Sequence, residues 1–374
     1  MRYVTLGDVC KKASSNIAQK DILSNDGKYP IYGASGLIKT VDFYHQEQAY
    51  IAIVKDGAGV GRTMLLPEHS SVIGTMQYII PNELVDIKYL YYAIVHMDLA
   101  KYYMGAAIPH IYFKDYQKEP LKLPLLSEQK RIAAIFEKID SIIEYRNSQL
   151  AQLEQVVKSR FIELFGDMLL NSMGWKEAAL DTMADVVSGI TKGRKVRETE
   201  LIEVPYMAVS NVKDGYIDWT TVKTIMATKQ EIEQYRLLPY DVLMTEGGDP
   251  DKLGRGAVIV APLENSIHQN HIFRVRLQTD KILPVFFSQY LQNQKAKKYF
   301  LGCAKQTTGI ASINMKQLRS LPVLVPPLEL QEQFVAFVEQ TDKSKYYSRL
   351  SLALCRVSAT LFGQEWMKCQ TSNS

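Results

Sequence analysis

Residues 128–165 contain neither proline nor glycine, and Phe136, Ile139, Ile143, Arg146, Leu150, Leu153, Val157, Arg160 and Leu164 recur at alternating steps of three and four. That spacing predicts one long helix with a coiled-coil seam. Residues 329–362 show the same spacing at Tyr347, Leu350, Leu354, Val357 and Leu361, with a more polar first half. Both segments reach Leu-Phe-Gly, at Leu164 to Gly166 and Leu361 to Gly363, so both helices are expected to stop at glycine and the second to be shorter by about five residues. Helices of this size reach roughly 50 to 57 Å. The length is explained if they pack on each other, antiparallel, and hold apart the segments that precede them; ordinary core packing within one large domain is the competing arrangement. Elsewhere the apolar runs are short. Those at 50–54, 64–66, 242–244 and 257–260 predict strands flanking two glycine turns.

The chain also repeats itself. Pro124-Leu-Leu-Ser-Glu-Gln-Lys-Arg-Ile-Ala-Ala-Ile-Phe-Glu-Lys-Ile-Asp140 aligns without gaps onto Pro326-Pro-Leu-Glu-Leu-Gln-Glu-Gln-Phe-Val-Ala-Phe-Val-Glu-Gln-Thr-Asp342, at an offset of 202. The same offset pairs Ile108 with Ile310, Ile111 with Ile313, Lys114 with Lys316 and Pro120 with Pro322. Farther upstream, Asp56-Gly57 matches Glu246-Gly247, Gly61-Arg62 matches Gly254-Arg255, and Val4-Thr-Leu-Gly-Asp-Val resembles Ala178-Ala-Leu-Asp-Thr-Met. Order is kept across several elements, which predicts two tandem α+β lobes, each followed by a long helix. The boundaries read as lobe 1–123, helix 124–166, lobe 167–325, helix 326–364 and tail 365–374.

A chain of 374 residues, 47% apolar and 22% charged, can bury a core in each lobe. No run has the length of a membrane span and no leader pattern opens the chain, so a cytoplasmic protein is expected. Cys10, Cys303, Cys355 and Cys369 form no CxxC pair, which argues against a zinc site or a disulfide framework. The net charge of +4 sits in the lobes, with 13 basic against 12 acidic residues in the first and 20 against 17 in the second. Tyrosine is abundant, with 22 residues, and suits half-wet surfaces.

Catalytic patterns are wanting. There is no phosphate-binding GxxxxGK[ST] loop, and Gly57-Ala-Gly-Val-Gly61 lacks dinucleotide-loop spacing and reads as a hairpin turn. His268 and His271 have no third ligand at a suitable spacing, so no metal site is expected. Cys303 reads as an inert thiol. The tetrapeptide of Asn, Asp or Ser before Pro-Pro-aromatic, with which amino-methyltransferases hold a base, is absent. Nucleic-acid binding fits better. The first lobe offers Lys55, Arg62, Gln77, His110 and Lys114. The second offers Lys192, Arg194, Lys195 and Arg197, Ser210 and Asn211, Lys252 and Arg255, His268, Gln269, Asn270 and His271, Arg274, and Gln306, Thr307 and Thr308. Lysine and arginine neutralise phosphates, while Asn, Gln, His and Arg reach base edges.

With these residues in view, the chain resembles the specificity subunit of type I restriction-modification systems. The likeness rests on Pro30-Ile-Tyr-Gly-Ala-Ser-Gly36, Pro124-Leu-Leu-Ser-Glu-Gln129, Arg160-Phe-Ile-Glu-Leu-Phe-Gly-Asp167 and Pro326-Pro-Leu-Glu-Leu-Gln331, in order across nearly the whole chain. The resemblance implies two target-recognition domains of mixed β-sheet and helices, separated by an antiparallel two-helix coiled coil and related by an internal pseudo-twofold. It further implies double-stranded DNA with a bipartite asymmetric site, two modification subunits and, through them, restriction subunits as partners. No cofactor is expected on this chain; S-adenosylmethionine would sit on the modification subunit, ATP and magnesium on the restriction subunit. Two rival readings are a freestanding DNA methyltransferase and a two-lobed protein adaptor that does not bind DNA. The unequal lobes imply unlike half-sites.

Overall fold

The computed structural model describes residues 2–105, 109–195, 200–249, 252–307 and 310–367. The chain divides into two compact units, Met1–Leu150 with Tyr347–Ser374, and Ala151–Tyr346. Both long helices pass from one unit into the other.

Each lobe is built on the same two sheets. In the first, a four-stranded antiparallel sheet has the order Cys10–Ser14, Met76–Pro81, Tyr50–Val54, Thr63–Leu66. A three-stranded sheet has the order Gly36–Val41, Tyr29–Gly33, Ser71–Val72, with its last pairing parallel. In the second, Ala184–Ser188, Ile272–Leu277, Val242–Thr245 and Gly256–Val258 reproduce the first sheet, and Lys223–Ala227, Ile202–Met207 and Ile267–His268 reproduce the second. The predicted strands on either side of the glycine turns are present. All residues of Tyr50–Val54 and Val242–Thr245 are buried, because these strands lie inside their sheets with both faces covered. Each lobe is closed by a strand pair joining its two chain ends, Arg2–Thr5 with Pro120–Leu123 and Lys176–Ala179 with Pro322–Val325.

The closing strand leads directly into a long helix, Leu126–Phe165 in the first copy and Leu328–Met367 in the second, each of 40 residues. The shared Pro-x-x-x-x-Gln phrase explains how each helix is fastened. Gln129 is fully buried: its Oε1 accepts from Asp86 N at 2.7 Å, and its Nε2 donates to Leu84 O at 3.1 Å and Pro124 O at 2.9 Å. Gln331 does the same with Leu283 N at 2.8 Å, Lys281 O at 3.2 Å and Pro326 O at 2.8 Å. Asp86 and Leu283 are the N-cap residues of the lobe helices Ile87–His96 and Pro284–Leu291. One amide side chain thus satisfies a helix cap and locks the long helix to its lobe.

Within each unit the two long helices pack antiparallel. In the first, Phe136 lies 5.2 Å from Phe362 between ring centroids, and Ser348 Oγ donates to Gln149 Oε1 at 3.0 Å. In the second, Phe161 and Phe165 meet Phe334 at 5.3 and 5.7 Å, and the Arg160 guanidinium lies 5.9 Å from the Phe337 ring centroid. As one residue number rises its partner's falls, as antiparallel pairing requires. Along the predicted seam of the first helix, Phe136 and Val157 are buried, and Ile139, Ile143, Arg146, Leu150, Leu153, Arg160 and Leu164 are half-buried.

The second helix departs from expectation in two ways. Tyr347, Leu350, Leu354, Val357 and Leu361 are 46% to 69% exposed and form no seam. The packed face instead carries Phe334, Thr341, Lys345, Ser348, Leu352, Cys355, Ala359 and Phe362. That face carries small and polar residues, so periodicity weighted toward large side chains selects the wrong one. The second helix is also not shorter and does not stop at Gly363. Gly166 adopts φ of +72° and ends the first helix, with its N–H bonded to Ile162 O at 2.8 Å, whereas Gly363 lies inside the second, where a Cβ would strike the His96 ring.

Candidate nucleic-acid interface

In the first lobe, Tyr50–Val54 leaves its sheet at Lys55-Asp56 and turns through Gly57 and Gly61, whose φ values of +91° and +85° favour glycine. The segment before Phe113–Tyr116 returns to this turn: Gly57 N donates to Pro109 O at 2.9 Å and Ile111 N to Lys55 O at 3.0 Å. Lys55, Arg62, His110 and Lys114 are thereby gathered at one end of the sheet. Lys55 is ion-paired with Asp56 at 2.7 Å, and His110 Nδ1 bonds the same carboxylate. The His110 ring lies 4.1 Å from Tyr112, an exposed ring approached at 5.3 Å by Lys114 Nζ. Arg62 donates to Ala34 O at 2.7 Å. Gln77 does not join them. It is buried and donates to Tyr116 OH, so it serves the lobe interior and is withdrawn from the surface set.

In the second lobe the gathering point is the segment 268–271. Ile190 bridges to Gln269, bringing the exposed Lys192 and Lys195 beside it, and Val209 N donates to Gln269 Oε1 at 3.3 Å, bringing the exposed Ser210. Asn270 and His271 face outward, with His271 Nδ1 at 2.6 Å from Glu246 Oε2. Lys252, ion-paired with Asp249, and Arg255 lie on the adjoining turn.

Several members of the predicted set act inside the lobe instead. Arg194 is engaged by both carboxylate oxygens of Glu231 at 2.5 Å; that bond raises the guanidinium and holds the Glu231 carboxyl below its usual range. Asn211 is fully buried, donating to Asp218 O and accepting from Ala208 N at 2.9 Å each. Arg274 is buried against Asp185 at 2.7 Å. His268 is also fully buried; loss of solvent pushes its imidazole down to about 4, and its nitrogens face Tyr235 O and Val187 O at 3.2 and 3.3 Å. A neutral, enclosed ring cannot reach a base. Gln306 and Thr307 lie on the strand Lys305–Thr307, but their side chains, and all of Thr308 and Arg197, fall outside the described residues.

Sequence reasoning omitted the carboxylates. Asp56 and Glu246 stand in the repeat alignment just before the two glycine turns, and that shared acid was the available signal. The backbone refines that alignment by one residue. Val54 N donates to Arg62 O and Thr245 N to Arg255 O, while Ile111 N and Ile313 N donate to Lys55 O and Glu246 O, so Glu246 matches Lys55 and Asp56 matches Gly247.

A second surface is apolar. Tyr347, Leu350, Leu354, Val357 and Leu361 form a heptad-spaced exposed stripe. The positions 202 residues earlier on the first helix are Tyr145, Ser148, Gln152, Gln155 and Ser159, exposed and mostly polar. Among the described residues no three His, Cys, Asp or Glu side chains cluster as metal ligands, and no helix is long and apolar enough to cross a membrane.

Two like lobes, each followed by a paired 40-residue helix, can be compared with known proteins. The family model described as "Type I restriction modification DNA specificity domain" matches residues 1–155 and 173–347. The chain belongs to this family. Among its relatives in the specificity family, the EcoKI specificity subunit of Escherichia coli (strain K12) is 24% identical over 251 residues, 63% of this chain and 53% of that protein. The EcoDI specificity subunit of Escherichia coli is 22% identical over 375 residues, 91% of this chain and 80% of that protein. The chain thus spans about half the length of the EcoKI relative and more of the EcoDI one. The type I restriction-modification S subunit from M. genitalium shares the fold, with a TM-score of 0.62 at 15% identity over 99% of this chain and 96% of that one.

Proposed function

We propose that this chain selects the DNA sequence for a type I restriction-modification complex, as a cytoplasmic, non-catalytic subunit. Each lobe reads one half of a bipartite asymmetric site. The paired helices, which carry the chain from one lobe unit into the other, set the gap between half-sites. The observation that carries this reading is the duplication itself: two lobes of one topology, each fastened by a buried glutamine to its own long helix. A stiff spacer converts residue count into base-pair count, as dimer geometry sets half-site spacing in two-fold readers. Linking two modestly basic lobes makes the second contact intramolecular and raises affinity.

The exposed stripe from Tyr347 to Leu361 suits a helix of a partner, because large side chains at steps of three and four are knobs for facing holes. We assign it to a modification subunit. In this reading S-adenosylmethionine belongs to that subunit, and ATP and magnesium to the restriction subunit. The experiment is to co-express the chain with its modification subunit and map methylated sites in the host genome. A bipartite motif with a fixed gap supports the reading. Methylation without such a motif, or absence of DNA binding by the purified complex in low salt, refutes it.

A further inference from the structure

In both lobes an imidazole rests on a carboxylate where the glycine turn leaves the four-stranded sheet. His110 Nδ1 faces Asp56 Oδ1, and Lys55 Nζ lies 2.7 Å from Oδ2. His271 Nδ1 lies 2.6 Å from Glu246 Oε2. The pairs are not copies of each other. The ladder bridges Asp56 to His110 in one lobe and Gly247 to Ser312 in the other, while Lys55 N and Glu246 N donate to Thr75 O and His271 O. His110 therefore corresponds to Ser312, and His271 to Thr75. The same pair of groups has been assembled at one end of each sheet from different backbone positions, which inheritance of a structural contact by duplication does not explain.

The carboxylate accepts from Nδ1–H, and that leaves the Nε2 lone pair available. In the second lobe Asn270 Nδ2 lies 3.3 Å from His271 Nε2, so this amide holds the lone pair in the free chain and a base amino group would take its place. Both imidazoles reach the surface, with side chains 27% exposed at His110 and 57% at His271. Lysines nearby, Lys55 and Lys114 in the first lobe and Lys252 in the second, can neutralise a phosphate backbone. An outward acceptor on a stiff ring complements an exocyclic amino group, adenine N6 or cytosine N4, in the major groove.

We propose that His110 and His271 read one position in each half-site by distinguishing amino-bearing bases, A or C, from keto-bearing bases, G or T, and that Asp56 and Glu246 are positioning residues that fix the ring. This rests on the DNA-specificity reading above. The test is selection from a randomised duplex library by the full chain co-expressed with its modification subunit. The wild-type complex is expected to prefer A or C at one position in each half. His110→Ala should reduce that preference by at least about fivefold in the first half only, and His271→Ala in the second only, with all other positions unchanged. Asp56→Asn and Glu246→Gln keep an accepting oxygen and should retain the preference, whereas Asp56→Ala and Glu246→Ala should relax the same position as the histidine variants. Uniform weakening at every position, or unchanged preference in the histidine variants, overturns this assignment and leaves the specificity reading standing. Failure of the wild-type complex to select any bipartite site overturns both.

Discussion

Replacing Gln331 with alanine removes three hydrogen bonds at a point with no solvent. Leu283 N, Lys281 O and Pro326 O lose their partner together. At about 1 kcal/mol for each bond in a buried setting, the loss is about 3 kcal/mol, before any cavity term. For a unit of this size that corresponds to a fall in melting temperature of about 6 to 12 °C. Gln331→Glu makes a sharper variant, because a carboxylate would be set against the carbonyl oxygens of Lys281 and Pro326. The introduced carboxyl would stay protonated in the folded state, above its unfolded value of about 4.3. Its stability would be fully retained below that value and lost as pH rises through the folded one. The assay is urea unfolding of the full chain at pH 4.5 and 7.5, followed by tryptophan fluorescence and circular dichroism. Gln331→Glu is expected to be clearly weaker at pH 7.5 than at 4.5 relative to wild type, and Gln331→Ala to be weakened by a similar amount at both. A Gln331→Ala loss below about 0.5 kcal/mol would refute the claim that this side chain fastens helix to lobe.

Two further outcomes follow from particular residues. His268 is held neutral by burial near 4 against an unfolded value near 6.5, so the unfolded chain binds the extra proton between them. Stability contributed by the neutral ring is present above pH 6.5 and falls as pH drops toward 4; between pH 7.5 and 5.5 the loss is about 1 kcal/mol, read by urea midpoints and absent in His268→Gln. Leu350→Glu with Leu354→Glu should leave unfolding midpoints within about 0.5 kcal/mol of wild type, since both side chains are exposed, yet abolish co-purification of the modification subunit. Retained co-purification would remove the stripe as the docking face.

The lobes and the helices were legible in sequence for different reasons. Apolar runs at 50–54 and 242–244 announce buried strands, and the Pro-to-Gln phrase marks both helix starts. The seam of the second helix was not legible from hydrophobicity, because Ser348, Cys355 and Ala359 pack inward while Leu350, Leu354 and Leu361 face out. The repeat offset of 202 contains the answer: it maps Arg146, Leu150, Leu153, Val157 and Arg160 onto Ser348, Leu352, Cys355, Ala359 and Phe362. For the candidate interface, residue type alone cannot tell an exposed His271 from an enclosed His268 three positions earlier on the same segment. Nor can it tell that Gln77 and Asn211 are spent on internal hydrogen bonds.

The most direct test of the chain as a spacer between two readers is to shorten both helices by one heptad. Deleting residues 143–149 together with 348–354 preserves the seam on each helix and removes about 10.5 Å of rise, or about three base pairs. Methylated-site sequencing in a host that expresses the shortened chain with its modification subunit should return the two original half-sites with a gap shorter by about three base pairs. The original half-sites at an unchanged gap would contradict it.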